Sequence, residues 1–220
     1  MNLKLSSFHK AYELLKPVVK RTPLELLSNF SEEMGCQIYA KREDLQVVRS
    51  YKVRGAYHMI ASLPDEDRAK GVVCASAGNH AQGVAFACKE LNVPCRIYMP
   101  ETTPKQKIRQ VQYHGNGQAV IIFAGDTFDQ SYEAAKKESM ETGKTLIPPF
   151  DHPQIVLGQG SVALEILEDL SEPLDYLFIP VGGGGLAAGI GPVFWSNSST
   201  TRLIGVEPAG APAMKKSIEQ

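Results

Sequence analysis

Apolar positions along the chain follow two periods, and their alternation predicts the elements. Phe8, Ala11, Tyr12, Leu15, Val18 and Val19 lie at helical spacing, which predicts an amphipathic helix over Ser7–Val19, with Ser6 or Ser7 as its cap and Pro17 disturbing its end. Thr22-Pro23-Leu24 is extended, because the residue before proline is pushed out of the helical region. A short helix capped by Ser28 or Ser31 runs to Met34, Gly35 stops it, and Gln37–Ala40 makes a first strand. From Gly71 the two periods alternate: strand Val72–Ala75, helix His80–Leu91, strand Arg96–Met99, helix Lys105–Tyr113, strand Ala119–Phe123 and helix Phe128–Thr142. After Thr145–Ile147 comes a break at Pro148, Pro149 and Pro153. Helix Ser161–Leu170, strand Tyr176–Val181, helix Leu186–Phe194 and strand Leu203–Val206 follow. Repeated β-α-β with short connections predicts the α/β class, with mostly parallel strands covered by helices and ligands at the strands' carboxyl ends. The proline-rich break divides the chain into a smaller domain, 50–149, and a larger one built from 1–49 plus 150–220.

Composition narrows the partners. In 220 residues, 43% hydrophobic and 21% charged content is ordinary for a globular protein, and a formal charge of -1 leaves no basic footprint for nucleic acid or an anionic membrane. Small molecules are the expected partners. Cys36, Cys74, Cys88 and Cys95 contain no C-x-x-C pair and read as reduced thiols of a cytoplasmic protein. No stretch approaches the roughly 18 apolar residues of a membrane span, and residues 1–8 lack a signal pattern.

Three stretches are candidates for chemistry. In Ser50-Tyr51-Lys52-Val53-Arg54-Gly55-Ala56, a lysine stands between an aromatic residue and a Gly-Ala helix entry. A Schiff-base lysine must be partly neutral, which burial favours and the cation Arg54 two residues away would also favour; the alternative is a lysine at a solvated helix start. Ser76-Ala77-Gly78-Asn79-His80 follows a strand and opens a helix, so its free N–H groups suit a carboxylate or serve simply as a capped turn. Gly182-Gly183-Gly184-Gly185-Leu186 repeats that arrangement with unobstructed amides suited to phosphate. Gly183-x-Gly185-x-x-Ala188, with Glu207 ending the next strand, also imitates a dinucleotide fingerprint, although it comes late in the chain. His9, His58, His80, His114 and His152 make no metal-ligand spacing, and no G-x-S-x-G occurs.

Taken in order, these stretches resemble the pyridoxal-phosphate enzymes of the tryptophan-synthase β fold, the threonine dehydratases most closely. Lys41-Arg42-Glu43-Asp44, Ala81-Gln82-Gly83, Gly158-Gln159-Gly160 and Gly205-Val206-Glu207-Pro208 extend the similarity from Thr22 to Glu207. The resemblance implies two open sheets with a cofactor cleft between them, and pyridoxal 5'-phosphate bound covalently by Lys52. It implies that Tyr51 backs the cofactor ring, Asn79 bonds its hydroxyl, and Gly182, Gly183, Gly184, Gly185 and Leu186 hold its phosphate. Ser76, Ala77, Gly78, Asn79 and His80 would take the substrate carboxylate. The implied reaction is β-elimination of water from threonine or serine, giving 2-oxobutanoate or pyruvate and ammonia, in a homo-oligomeric enzyme of amino-acid metabolism that serves isoleucine biosynthesis.

Departures refine that expectation. Sulfhydrylases of the superfamily carry Asp after the lysine where this chain has Val53, and serine racemases carry a serine acid where it has Ala77. The acidic cluster that holds a metal in racemases is incomplete, since Ala211, Pro212 and Ala213 follow Gly210. Family members continue past Gln220, so a truncated chain is expected, with a non-catalytic cofactor-binding fragment as the alternative.

Overall fold

The computed structural model describes residues 3–198 and 200–220. Helix α1 (Leu5–Leu15) is followed by strand β1 (Leu24–Leu26), helix α2 (Ser28–Met34) and strand β2 (Tyr39–Lys41), and a 3-10 turn at Glu43–Leu45 leads to helix α3 (Lys52–Ala61) and the short α4 (Asp65–Lys70). Then come β3 (Val72–Ala75), α5 (Asn79–Leu91), β4 (Cys95–Met99), α6 (Lys105–Gly115), β5 (Ala119–Phe123), α7 (Phe128–Thr142) and β6 (Thr145–Leu146). The chain continues through α8 (Pro153–Asp169), β7 (Tyr176–Pro180), α9 (Gly185–Asn197), β8 (Arg202–Val206) and α10 (Ala213–Glu219).

The α/β class holds. Four strands pair in parallel in the order β5-β4-β3-β6, with Val72 opposite Cys95 and Cys95 opposite Ala119. β3 is buried throughout, as an inner parallel strand with both faces covered must be. One of its faces packs on α3, α5 and α6 through Ile60, Val84, Cys88 and Val111, and the other meets α7 through Ala135. β7 and β8 form a second parallel pair, and β1 with β2 a separate antiparallel one. Around β7 a second core gathers Phe8, Tyr12, Leu164, Ile179, Ile190 and Phe194 from α1, α8, α9 and the strand. Among the described residues no helix is long and apolar enough to cross a membrane.

Three expected helix starts are corrected. α2 begins at Ser28 itself, after Leu27 and with no side-chain cap hydrogen bond, so neither Ser28 nor Ser31 caps it. α1 begins at Leu5 with Lys4 at the cap position, so neither Ser6 nor Ser7 caps it. α8 begins eight positions before Ser161, at Pro153, because proline's fixed φ suits the first helical position and the His152 ring accepts the Gln154 N–H. Its glycines, which read as interruptions, are places of close approach. A Cβ on Gly158 would lie 2.6 Å from the Arg54 carbonyl oxygen and 2.7 Å from Gly55 Cα.

The same device recurs on either side. A Cβ on Gly83 of α5 would lie 3.1 Å from the Val53 nitrogen of α3, and one on Gly189 of α9 would lie 2.7 Å from the Gly160 nitrogen of α8. Helices α5, α3, α8 and α9 therefore stack backbone to backbone in that order. Three of the four begin at the stretches singled out by sequence. An added methyl at such a contact costs about 1–3 kcal/mol by overpacking, so the stack sets where those three helix starts stand.

Candidate active site

Lys52 is the first residue of α3 and half-buried. Its Nζ donates to the Pro149 carbonyl oxygen at 2.7 Å and lies 5.5 Å from the centre of the Tyr51 ring and 6.0 Å from that of Phe150. Burial pushes its pKa down, which enlarges the neutral, nucleophilic fraction. Arg54 plays no part in that shift, contrary to the sequence expectation. Its guanidinium is held by Glu43, Ser161 and Glu165. Tyr51 is half-buried against the second core, and burial raises its pKa, so it presents a neutral ring.

The turn Ser76-Ala77-Gly78 leaves the carboxyl end of β3 and enters α5. The Gly78 N–H donates to Ser76 Oγ at 3.1 Å. The N–H groups of Asn79, His80 and Ala81 have no acceptor among the described residues, and the Asn79 side chain is exposed. These are the orphan donors of a helix start, a group that suits a carboxylate. The His80 ring goes the other way. It is buried and shares a 2.9 Å hydrogen bond with the Ile147 carbonyl, and burial, with a smaller push from Lys52, brings its pKa down to about 4. His80 is thus a neutral tie behind the turn, and only its amide is left for a ligand.

The second turn leaves β7 and enters α9. Gly184 has φ +81, the left-handed region that favours glycine. A Cβ on Gly183 would run into the Phe150 ring, one on Gly184 would come within 2.6 Å of Met214 Cε, and one on Gly185 within 2.9 Å of the Phe150 backbone. Gly182 has open space, and the amides of Gly182, Gly183, Gly184, Gly185 and Leu186 have no acceptor among the described residues. Leu186 is buried in the second core, so only its N–H is available. A phosphate fits this cradle: its amides have no protein acceptor among the described residues, Gly182 and Gly183 are exposed, and the turn opens a helix of 13 residues. The dinucleotide imitation fails at its acidic residue. The Glu207 carboxylate already accepts the N–H groups of Met214 and Lys215, both at 2.8 Å, and caps α10.

Sequence reasoning missed the segment that joins these parts. Ile147–Gln154 runs beside Lys52 and is tied at three places: Ile147 by His80, Pro149 by Lys52, and Gln154 by His58 Nδ1 at 2.7 Å. It sets Phe150 against Gly183 and Gly185. The only sequence signal was the Pro148-Pro149-Phe150 run, which read as a domain boundary.

Comparison with known proteins agrees with this arrangement. The family described as pyridoxal-phosphate dependent enzyme matches residues 15–220. A biosynthetic L-threonine dehydratase of Halalkalibacterium halodurans is 52% identical over 210 residues, covering 96% of this chain and 51% of that protein. The Bacillus subtilis biosynthetic L-threonine dehydratase is 52% identical over 202 residues, covering 92% of this chain and 48% of that protein. The chain therefore spans about half the length of these curated relatives. Among solved structures, the processed form of threonine deaminase isoform 2 from Solanum lycopersicum superposes with a TM-score of 0.91 at 41% identity, over 100% of this chain and 61% of that one. Maize serine racemase superposes with a TM-score of 0.93 at 32% identity, over 100% of this chain and 66% of that one. With Lys52 desolvated between two uncovered helix starts and a family match across nearly its whole length, this chain belongs to the pyridoxal-phosphate dependent enzymes.

Proposed function

We propose that this chain carries the lysine, the carboxylate turn and the phosphate turn of a pyridoxal-phosphate-dependent threonine or serine dehydratase. The observation that carries the reading is the single helix stack in which Lys52, Asn79 and Gly185 each begin a helix, held in register by glycine contacts. Pyridoxal 5'-phosphate supplies the electron sink that acidifies the substrate Cα–H. The Lys52 amine is the point of covalent attachment and, once freed, the base that takes the Cα proton. The amides of Gly182, Gly183, Gly184, Gly185 and Leu186 hold the phosphate, Asn79 reaches the ring hydroxyl, and Tyr51 flanks the ring. The amides from Ser76 to His80 orient the substrate carboxylate. The β-hydroxyl leaves as water, and hydrolysis of the released enamine by a second water gives 2-oxobutanoate from threonine, or pyruvate from serine, and ammonia.

The names of the two bacterial dehydratases support threonine as substrate and a biosynthetic setting, which the family resemblance makes isoleucine biosynthesis. Ala77 supports elimination over racemisation, because a methyl group cannot return a proton to the opposite face of Cα. The two cores support a division into a smaller unit, 50–149, and a larger one. A cytoplasmic homo-oligomer is the working form. The test is formation of 2-oxobutanoate from threonine by the cofactor-loaded chain, with loss of at least a thousandfold in Lys52→Ala, on the scale of removing an activated nucleophile and base. Cofactor binding without product, at any protein concentration, would instead support a binding fragment.

A further inference from the structure

Arg54 is fully buried, and five hydrogen bonds occupy the five N–H donors of its guanidinium. Nε donates to Glu43 Oε2 at 2.8 Å. Nη2 donates to Glu43 Oε1 at 2.7 Å and to Glu165 Oε2 at 2.9 Å. Nη1 donates to Glu165 Oε1 at 2.7 Å and to Ser161 Oγ at 3.1 Å. Both carboxylates are gripped bidentately, the geometry that a planar fork provides and an ammonium does not. The cluster closes around this centre. Lys41 Nζ lies 2.7 Å from Glu165 Oε2 and donates to the Thr22 carbonyl at 2.6 Å, and Thr22 Oγ1 donates to Glu43 Oε1 at 2.5 Å. Lys41 Nζ also lies 3.6 Å from Asp169 Oδ2, which joins the buried cluster to Arg21 and Glu168 nearer the surface.

Buried ion clusters are poor sources of stability, because desolvation offsets their attraction. What they do well is fix orientation. Here the fixed object is the first turn of α3. Arg54 lies two residues after Lys52, and its partners come from the 3-10 turn before α3 and from α8, which also contacts α3 at Gly158.

We propose that Arg54 is a positioning residue for Lys52: its double fork to Glu43 and Glu165 pins the first turn of α3 onto α8 and so sets where the amine stands between Pro149 and the two helix starts. This rests on Lys52 being the cofactor lysine, and the test separates the two ideas. Arg54→Lys keeps the charge and loses the fork. Glu43→Gln is the milder change, since Glu43 lies at the partly exposed side of the cluster and Glu165 keeps its grip.

Two readouts are compared below the unfolding transition of each full-length variant. One is the rate at which the Lys52 amine of the cofactor-free chain is labelled by an amine-reactive reagent. The other is the rate of borohydride-trapped adduct formation after addition of pyridoxal 5'-phosphate. The expected change in both is on the order of tenfold for Arg54→Lys, because displacements of an ångström at a reacting group cost that much or more, and a smaller change in the same direction for Glu43→Gln. A merely structural role would lower the unfolding temperature and leave both rates alone. If Arg54→Lys does not fold, Glu43→Gln decides. Folded variants with both rates within twofold of the unmodified chain overturn the proposal. An unmodified chain that yields no trapped adduct overturns the reading of Lys52 on which the proposal rests.

Discussion

The two helix starts at Ser76–His80 and Gly182–Leu186 share a backbone device, and the protein finishes them in opposite ways. At the first, Gly78 has open space around it, while a buried side chain, His80, reaches back to anchor the turn to Ile147. At the second, no polar side chain reaches back, and only Leu186 packs into the second core. Gly183, Gly184 and Gly185 are instead hemmed in by Phe150 and Met214. The first turn is held by what its residues reach, the second by what its residues lack. A glycine in a ligand turn thus has two meanings, room for a ligand or room for the protein's own neighbours, and only the surroundings distinguish them.

The largest effect expected from this contrast is acid sensitivity at the first turn. His80 has a folded pKa of about 4 against an ordinary value of 6.5, so the unfolded chain binds more protons than the folded one between those values, and stability falls as pH drops through that window. The shift corresponds to about 3 kcal/mol. His58, whose pKa is also lowered by burial, adds to it in the same direction. Denaturant unfolding followed from pH 7 to about pH 4 should show a shallower loss in His80→Gln, which retains a donor for Ile147 and does not titrate. An unchanged slope would place the acid sensitivity elsewhere.

Next come the crowded glycines. Gly184→Ala meets both left-handed backbone strain of about 1–2 kcal/mol and Met214, and Gly183→Ala displaces Phe150 at an overpacking cost of about 1–3 kcal/mol. Both should lower the unfolding free energy even without cofactor, which thermal or denaturant melts of the cofactor-free chain measure directly.

The smallest effects belong to the open glycines. Gly78→Ala and Gly182→Ala should leave stability within about 0.5 kcal/mol, yet each places a methyl in the open space where the proposed ligand's anionic group would approach. Their signature is a functional loss without a stability loss: weaker cofactor retention for Gly182→Ala, and a raised KM for Gly78→Ala. If all four glycine variants melted alike, the contrast between the turns would collapse.

Local pattern carried much of the fold. Val72–Ala75, Ala119–Phe123 and Phe128–Thr142 appear with the boundaries that periodicity predicts, because each is a regular run closed by turn residues. α8 was half-lost, since Pro153, Gly158 and Gly160 look like breakers until the neighbours that need them are in place. α3 was legible only as a helix entry, and α4 and α10 were not read. At the candidate site, the Lys52, Ser76 and Gly182 stretches stand out in the sequence because a helix start after a strand or an aromatic residue is a local pattern. What went unread depends on long-range contact. Lys52 meets Pro149 across 97 positions and Arg54 meets Glu165 across 111, so Arg54 read as a cation beside Lys52 when its charge is spent on a distant carboxylate.

The proposed point of covalent attachment is the Lys52 amine, placed by the helix stack between the two turns. Intact mass after borohydride reduction of the chain incubated with pyridoxal 5'-phosphate tests it most directly. The structure predicts one reduced cofactor adduct, mapped to Lys52 by peptide analysis and absent from a folded Lys52→Ala variant. An adduct of equal yield in Lys52→Ala would contradict it.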